Sequence, residues 1–169
     1  MIYELIVILS SQINSKFTKI LVAIDGSKES MDAADYAIDL AKQYNASLNI
    51  VHILPQEIRY TYNVDILDPE IPATASPLKG IVELSRHEVE EKWFSKIRDK
   101  AKENNVGMQT DVIVATRSIV AEIVGYAESE NVNLMVIGTR GRSGLKRMFL
   151  GSVASGVVTY AHCPVLVVK

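Results

Sequence analysis

The residues best suited to chemistry lie between positions 138 and 152, GTRGRSGLKRMFLGS. Glycines stand at 138, 141, 144 and 151, the cations Arg140, Arg142, Lys146 and Arg147 are threaded among them, and no acid is present. Upstream, NLMVIG (133–138) is a short apolar run that ends on the first glycine; downstream, SVASGVVTYAH reads as a helix. A strand, a glycine-rich basic loop and a helix N-terminus, in that order, form an anion cradle. The first amides of the helix have no intrahelical partners, carry partial positive charge and point at whatever the loop holds.

The common nucleotide motifs are absent. A Walker loop needs GxxxxGK followed by Ser or Thr, and here Lys146 follows Leu145 and precedes Arg147. Gly138, Gly141 and Gly144 do not have the GxGxxG spacing, nor do they follow the first strand as that fingerprint requires. Ser143 is followed directly by Gly144, so there is no GxSxG nucleophile elbow. His52, His87 and His162 show no HExxH or other metal-ligand spacing. The sole cysteine, Cys163, rules out an internal disulfide, leaves too few thiols for a structural zinc site, and fits a reducing compartment. It reads as a small hydrophobe before a buried strand, because no nearby acid would orient His162 to activate it. What remains is G-x2-G-x9-G-S: Gly138, Gly141, Gly151 and Ser152.

These residues need a scaffold, and the rest of the chain alternates strand and helix. KILVAIDG (19–26) is an apolar strand closed by an acid and a glycine, and Ser27 is placed to cap a helix with Met31, Ala34, Ile38 and Ala41 on one face. SLNIVHI (47–53) is a second strand, with His52 read as packed at its end. An irregular stretch over 54–77 holds four of the five prolines, as expected of a functional flap or a mobile segment. A long helix over roughly 78–104 carries the stripe Val82, Val89, Trp93, Ile97 and Ala101. The strand TDVIVA (110–115), a helix over 118–130 burying Ile119, Ile123, Val124 and Ala127, the strand 133–138, a helix to about 162 and the strand PVLVVK complete the order.

Such alternation gives an open, doubly wound parallel sheet with helices on both faces. Ligands bind these sheets beyond the carboxyl ends of the strands at the switch point. The first strand ends at Asp25 and the fourth at Gly138, so neighbouring placement of the two would mark the pocket.

A chain of 169 residues is most simply one domain that buries about 70% of its unfolded surface. Apolar content of 48% and charged content of 22% are those of a globular protein. Net charge of −2, with +4 confined to 138–152, favours a small anion over nucleic acid. The leader MIYELIVILSS is too short and too interrupted by Glu4 to span a bilayer and lacks a basic n-region. Residues 1–18 are expected to be a leader or an extra strand before a domain at 19–169, with no membrane association.

Three separated motifs, VAIDGS at the first strand end, G-x2-G-x9-G-S after the fourth, and HCPVLVV at the terminus, resemble those of the universal stress protein family, ATP-binding branch. The resemblance covers about 19–169 and implies a five-stranded sheet of order 3-2-1-4-5, of the adenine nucleotide α-hydrolase-like type. It implies ATP or AMP as ligand, with Mg²⁺ or Mn²⁺ bound through the phosphates. It implies that Gly138 and Gly141 admit ribose and phosphates, flanked by Thr139 and Arg140. Gly151, Ser152, Val153 and Ala154 take the phosphate chain. Asp25, with Ala23 and Ile24, stands near ribose or adenine, and Ile53 and Ile137 line the adenine slot.

Family members commonly form homodimers through the last strand, here Val165–Val168, and an apolar terminal edge strand has a physical need for a partner. The expected function is a cytoplasmic, nucleotide-sensing regulatory module. A slow ATP hydrolase or nucleotidyl transferase is the enzymatic alternative, although the loop offers binding groups without an evident general base or nucleophile. A nucleotide-free dimerisation module is the other. Each glycine also has a plain reading as a turn, Asp25 as an acid at a helix start, and the cations as a solvated loop face.

Overall fold

The computed structural model describes residues 16–55, 77–139 and 150–169. Most of the leader, the flap between Pro55 and Pro77, and Arg140, Gly141, Arg142, Gly144, Lys146 and Arg147 of the basic loop lie outside the described residues.

Five parallel strands form one sheet: β1 (Lys19–Ala23), β2 (Ser47–Leu54), β3 (Met108–Val114), β4 (Leu134–Gly138) and β5 (Val165–Val168), in the order β3-β2-β1-β4-β5. This is the expected 3-2-1-4-5 order. Between them run α1 (Lys28–Tyr44), α2 (Pro77–Val89), α3 (Ser95–Glu103), α4 (Ile119–Ser129) and α5 (Ser152–Tyr160). The central strands are apolar on both faces because helices cover both. Alternate residues of β1 point to opposite sides. Ile20 and Val22 join Leu48, Ile50, Ala34, Ile38, Phe94 and Ile97 in one core layer. Leu21 joins Val51, Ile53, Met135, Ile137, Ile123, Ala127 and Val157 in the other. α1, α2 and α3 therefore pack on one face, α4 and α5 on the other.

Register places the strand ends at the switch point. Ala23 of β1 pairs with Val51 of β2 on one side and with Ile137 of β4 on the other. The peptides that leave β1 and β4, Ile24–Asp25 and Gly138–Thr139, thus emerge side by side.

The opposite end of the sheet is closed by three equivalent turns. Asn45, Asn105 and Asn131 follow α1, α3 and α4 with φ of 52°, 57° and 54°. After each, the next residue donates back to the carbonyl five positions earlier: Ala46 to Ala41, Val106 to Ala101 and Val132 to Ala127, all at 2.9 Å. A left-handed residue followed by this bond is the Schellman helix stop, and asparagine tolerates that conformation better than other side-chain-bearing residues.

The long helix departs from the sequence reading. It is one helical run from Pro77 to Glu103, but Glu90–Phe94 is a π-turn in which the Ser95 amide donates to the Glu90 carbonyl. Val89, Ile97 and Ala101 are buried as the stripe required, whereas Val82 and Trp93 are half-buried and, among the described residues, the most deeply buried aromatic is Phe94. In the helix over 118–130, Ile123 and Ala127 are buried, while Ile119 and Val124 are half-buried. The last helix ends at Tyr160, short of His162.

Candidate functional site

Asp25 begins the turn that leads from β1 into α1. Its Oδ1 accepts from the Ser27 amide (3.0 Å) and the Ser27 hydroxyl (2.6 Å). This Asx-type turn fixes the carboxylate by local bonds. Ser27 is also the N-cap, its Oγ accepting from the Ser30 amide at 3.3 Å. Ser30 is buried; its hydroxyl donates to the Ser27 carbonyl (2.9 Å) and accepts from the Asp25 amide (3.3 Å). Asp25 is thus an acid at a helix start and Ser27 a cap, and one turn carries both.

Across the switch point, β4 leads into Thr139. Its amide donates to the Val168 carbonyl (2.7 Å), and its own carbonyl accepts from the Gly151 amide (2.8 Å). That second bond joins the two ends of the basic loop. α5 then opens at Gly151, which has extended dihedrals (φ −61°, ψ 156°) and provides no side-chain cap. α1 and α4, by contrast, are capped by Ser27 and Ser118. The first amides of α5 therefore receive no side-chain acceptor from the cap residue, at the positive end of the helix dipole.

A cavity of about 260 Å³ lies between these two ends. Eleven of the thirteen residues expected at the site line it: Ala23, Ile24, Asp25, Ile53, Ile137, Gly138, Thr139, Gly151, Ser152, Val153 and Ala154. The other two, Arg140 and Gly141, lie outside the described residues. Ser30, His52, Ile119 and Ile123 complete the wall. The two isoleucines were legible as an i, i+4 pair on an apolar helix, but periodicity cannot tell a core-facing pair from one at a cavity rim. His52 is packed, as read, with Nδ1 2.7 Å from the Ile24 carbonyl oxygen, and it also faces the cavity.

Two details sharpen the chemistry. Thr139 Oγ1 is buried with no hydrogen-bond partner among the described residues, beside the start of α5. A Cβ on Gly138 would stand 2.7 Å from the backbone carbonyl carbon of Glu29 and 2.9 Å from the Ser30 nitrogen. The constraint visible at Gly138 is therefore the close approach of β4 to the first turn of α1, while the resemblance had assigned this glycine to ligand approach.

The α4 side of the cavity is held by a carboxylate. Glu122, 8% exposed, accepts from the Thr116 amide (2.8 Å), the Thr116 hydroxyl (2.9 Å), the Arg117 amide (2.9 Å) and the Arg117 guanidinium (3.3 Å). Hydrogen bonds from the Thr116 backbone, then from Arg117 and the Thr116 hydroxyl, outweigh burial and hold its carboxyl at about 2, against an ordinary 4.5. Further down the same helix, the Tyr126 hydroxyl donates to Asp111 (2.5 Å) and accepts from buried Asn49 (3.3 Å). Burial first, then Asp111, pushes its ionisation above the ordinary range. Cys163 packs against the α4–α5 core layer, and burial pushes its thiol up, away from nucleophile character. Among the described residues no group of three His, Cys, Asp or Glu could hold a metal ion, and no helix is long and apolar enough to cross a membrane.

The universal stress protein family model matches residues 16–169. The chain belongs to the universal stress protein family. Among its relatives, universal stress protein YxiE of Bacillus subtilis is 39% identical over 161 residues, covering 90% of this chain and 99% of that protein. Universal stress protein MJ0531 of Methanocaldococcus jannaschii is 37% identical over 157 residues, covering 90% and 82%. The fold is shared with the universal stress protein UspA from Lactobacillus plantarum (TM-score 0.74, 23% identity, 92% of this chain and 100% of that one). It is also shared with an Archaeoglobus fulgidus universal stress protein in complex with dAMP (0.61, 20%, 90% and 98%). A third universal stress protein with this fold is in complex with cAMP (0.58, 23%, 90% and 97%).

Proposed function

We propose that this universal stress protein binds an adenosine nucleotide, ATP above all, at the carboxyl end of its sheet and acts as a regulatory homodimer in the cytoplasm. The observation that carries the reading is the convergence of separated motifs on one cavity: the β1 end with Asp25, the β4 end with Thr139, and the uncapped start of α5. The residues suit the ligand. Ile24, Ile53, Ile119, Ile123 and Ile137 supply apolar walls for a base, and Asp25 supplies a fixed acceptor for sugar hydroxyls. The α5 amides and the Thr139 hydroxyl, which has no partner among the described residues, supply donors for phosphate. A volume of about 260 Å³ suits a nucleoside, which leaves the phosphates to run along α5 toward the basic loop. Adenine mononucleotides in two fold neighbours support the same ligand class. Mg²⁺ or Mn²⁺ would enter with the triphosphate, held by its oxygens.

Thermal unfolding with saturating Mg-ATP, AMP and GTP tests this. Saturation at 100 times the dissociation constant stabilises the fold by about 2.7 kcal/mol, a rise of roughly 5–10 °C for a domain of this size. That rise with ATP and its absence with GTP is the expected result. No rise with any of the three, in protein free of bound nucleotide, refutes the reading. Replacing Gly151 by leucine should abolish the ATP-dependent rise without unfolding the apo protein.

The dimer reading rests on β5. It is an edge strand, four residues long and apolar, with Leu166 38% exposed. Its outer amides invite a second copy of the strand. Val167→Pro should give a monomer in size-exclusion chromatography, and an unchanged elution volume would remove this part of the proposal.

A further inference from the structure

The π-turn in the long helix has a local consequence for the cavity. Consecutive residues of an α-helix point about 100° apart. The extra residue in Glu90–Phe94 lets Trp93 and Phe94 both turn toward the sheet. Phe94 enters the core at 1% exposure. Trp93 goes to the β1–α1 turn instead. A Cβ built on Gly26 would fall 2.1 Å from Cζ2 and 2.3 Å from Cε2 of the indole, so the ring occupies the space a side chain there would need. Gly26 has φ of +80°, a conformation that glycine adopts without strain. A second neighbour of the indole is His52, whose ring lies edge-on at 5.0 Å and 77°. His52 Nδ1 in turn is bonded to the Ile24 carbonyl.

The indole therefore presses on both flanks of one short segment. Gly26 follows Asp25, and His52 holds the residue before it. Ile24, Asp25 and His52 all line the cavity; Trp93 does not. We propose that Trp93 is a positioning residue for the nucleotide site: through Gly26 and His52 it sets the Ile24–Asp25 segment, and with it the nucleoside half of the cavity. The proposal rests on the nucleotide reading above. It makes the outer helix a regulatory handle, because any contact that shifts the π-turn shifts Asp25. Trp93 is also the chain's single tryptophan, so tryptophan emission reports the surroundings of this one ring.

The test uses the full chain with Trp93→Leu and Trp93→Phe, titrated calorimetrically with adenosine and with Mg-ATP. Trp93→Leu should weaken both ligands by the same factor, tenfold or more, since the altered half touches the nucleoside they share. Trp93→Phe, which keeps a flat ring against Gly26 and His52, should recover most of the affinity. In the unaltered protein, saturating adenosine should change the intensity or position of Trp93 emission. Adenosine and ATP bound by Trp93→Leu within twofold of the unaltered protein overturn the proposal, as does a much larger loss for ATP than for adenosine. Where Trp93→Leu does not fold, unchanged emission at saturating adenosine overturns it. An unaltered protein that binds neither ligand refutes the nucleotide reading itself and this inference with it.

Discussion

Replacing Glu122 by glutamine is the most quantitative perturbation available, because charge and geometry are separable there. The carboxylate collects four hydrogen bonds from Thr116 and Arg117 and is nearly enclosed. A carboxyl held at about 2 in the fold, against 4.5 for the ordinary group, corresponds to about 3 kcal/mol of stability at neutral pH. Glutamine keeps one acceptor oxygen and loses the charge, so the expected loss is about 2 kcal/mol, a fall in Tm of roughly 4–8 °C. The sign with pH follows from the direction of the shift. The folded value is depressed, so the contribution is complete above the unfolded value of 4.5 and drains away as pH falls toward 2. Urea unfolding of both proteins at pH 7, 4.5 and 3 should therefore show a gap that is widest at pH 7 and narrows at each step. A gap of the same size at pH 7 and pH 3 would refute the electrostatic argument and leave only shape.

Gly138→Ala brings a Cβ within 2.7 Å of the Glu29 backbone, and should lower apo stability by about 2 kcal/mol or more in thermal unfolding without ligand. An apo Tm unchanged by Gly138→Ala, with ATP binding lost, would return that glycine to a purely ligand-facing role. Tyr126→Phe strands the Asn49 amide at a buried position and removes the donor to Asp111, costing about 1–2 kcal/mol in chemical denaturation. Ser27→Ala removes the α1 cap and one partner of Asp25; about 1 kcal/mol should be lost, and ATP binding should weaken alongside.

The sheet was legible because its central strands are continuous apolar runs, and such runs between helical periods have few alternatives to a parallel, doubly covered sheet. The cavity that the expected site residues line was legible because they sit at strand and helix ends, where VAIDGS and the Gly151-Ser152 pair mark chain reversals. The π-turn was not. Val89, Trp93, Ile97 and Ala101 repeat every four residues, a spacing that an undistorted helix carries gradually off one face, and only the packing of Phe94 beneath the helix decides where the slip is taken up. Gly138 illustrates a second limit. A glycine signals that something approaches closely, but the sequence does not say whether it is a phosphate or the backbone of Glu29. The partners of Glu122 lie six and five residues upstream in a loop whose course depends on how α4 docks, so an acid in an apolar helix was visible while its four donors were not.

The three asparagine turns at the far end of the sheet provide an internal clock for the molecule. The amides of Ala46, Val106 and Val132 make the same bond, at the same 2.9 Å, to the same position in three different helices. They lie beyond the opposite ends of the strands from the cavity. In native-state hydrogen exchange a ligand at the cavity can reach them only by making whole-chain opening rarer. All three rates should then slow by one common factor, equal to the population shift the ligand imposes. A factor that differed among them would locate where the fold opens in parts, and would name the helix that leaves first.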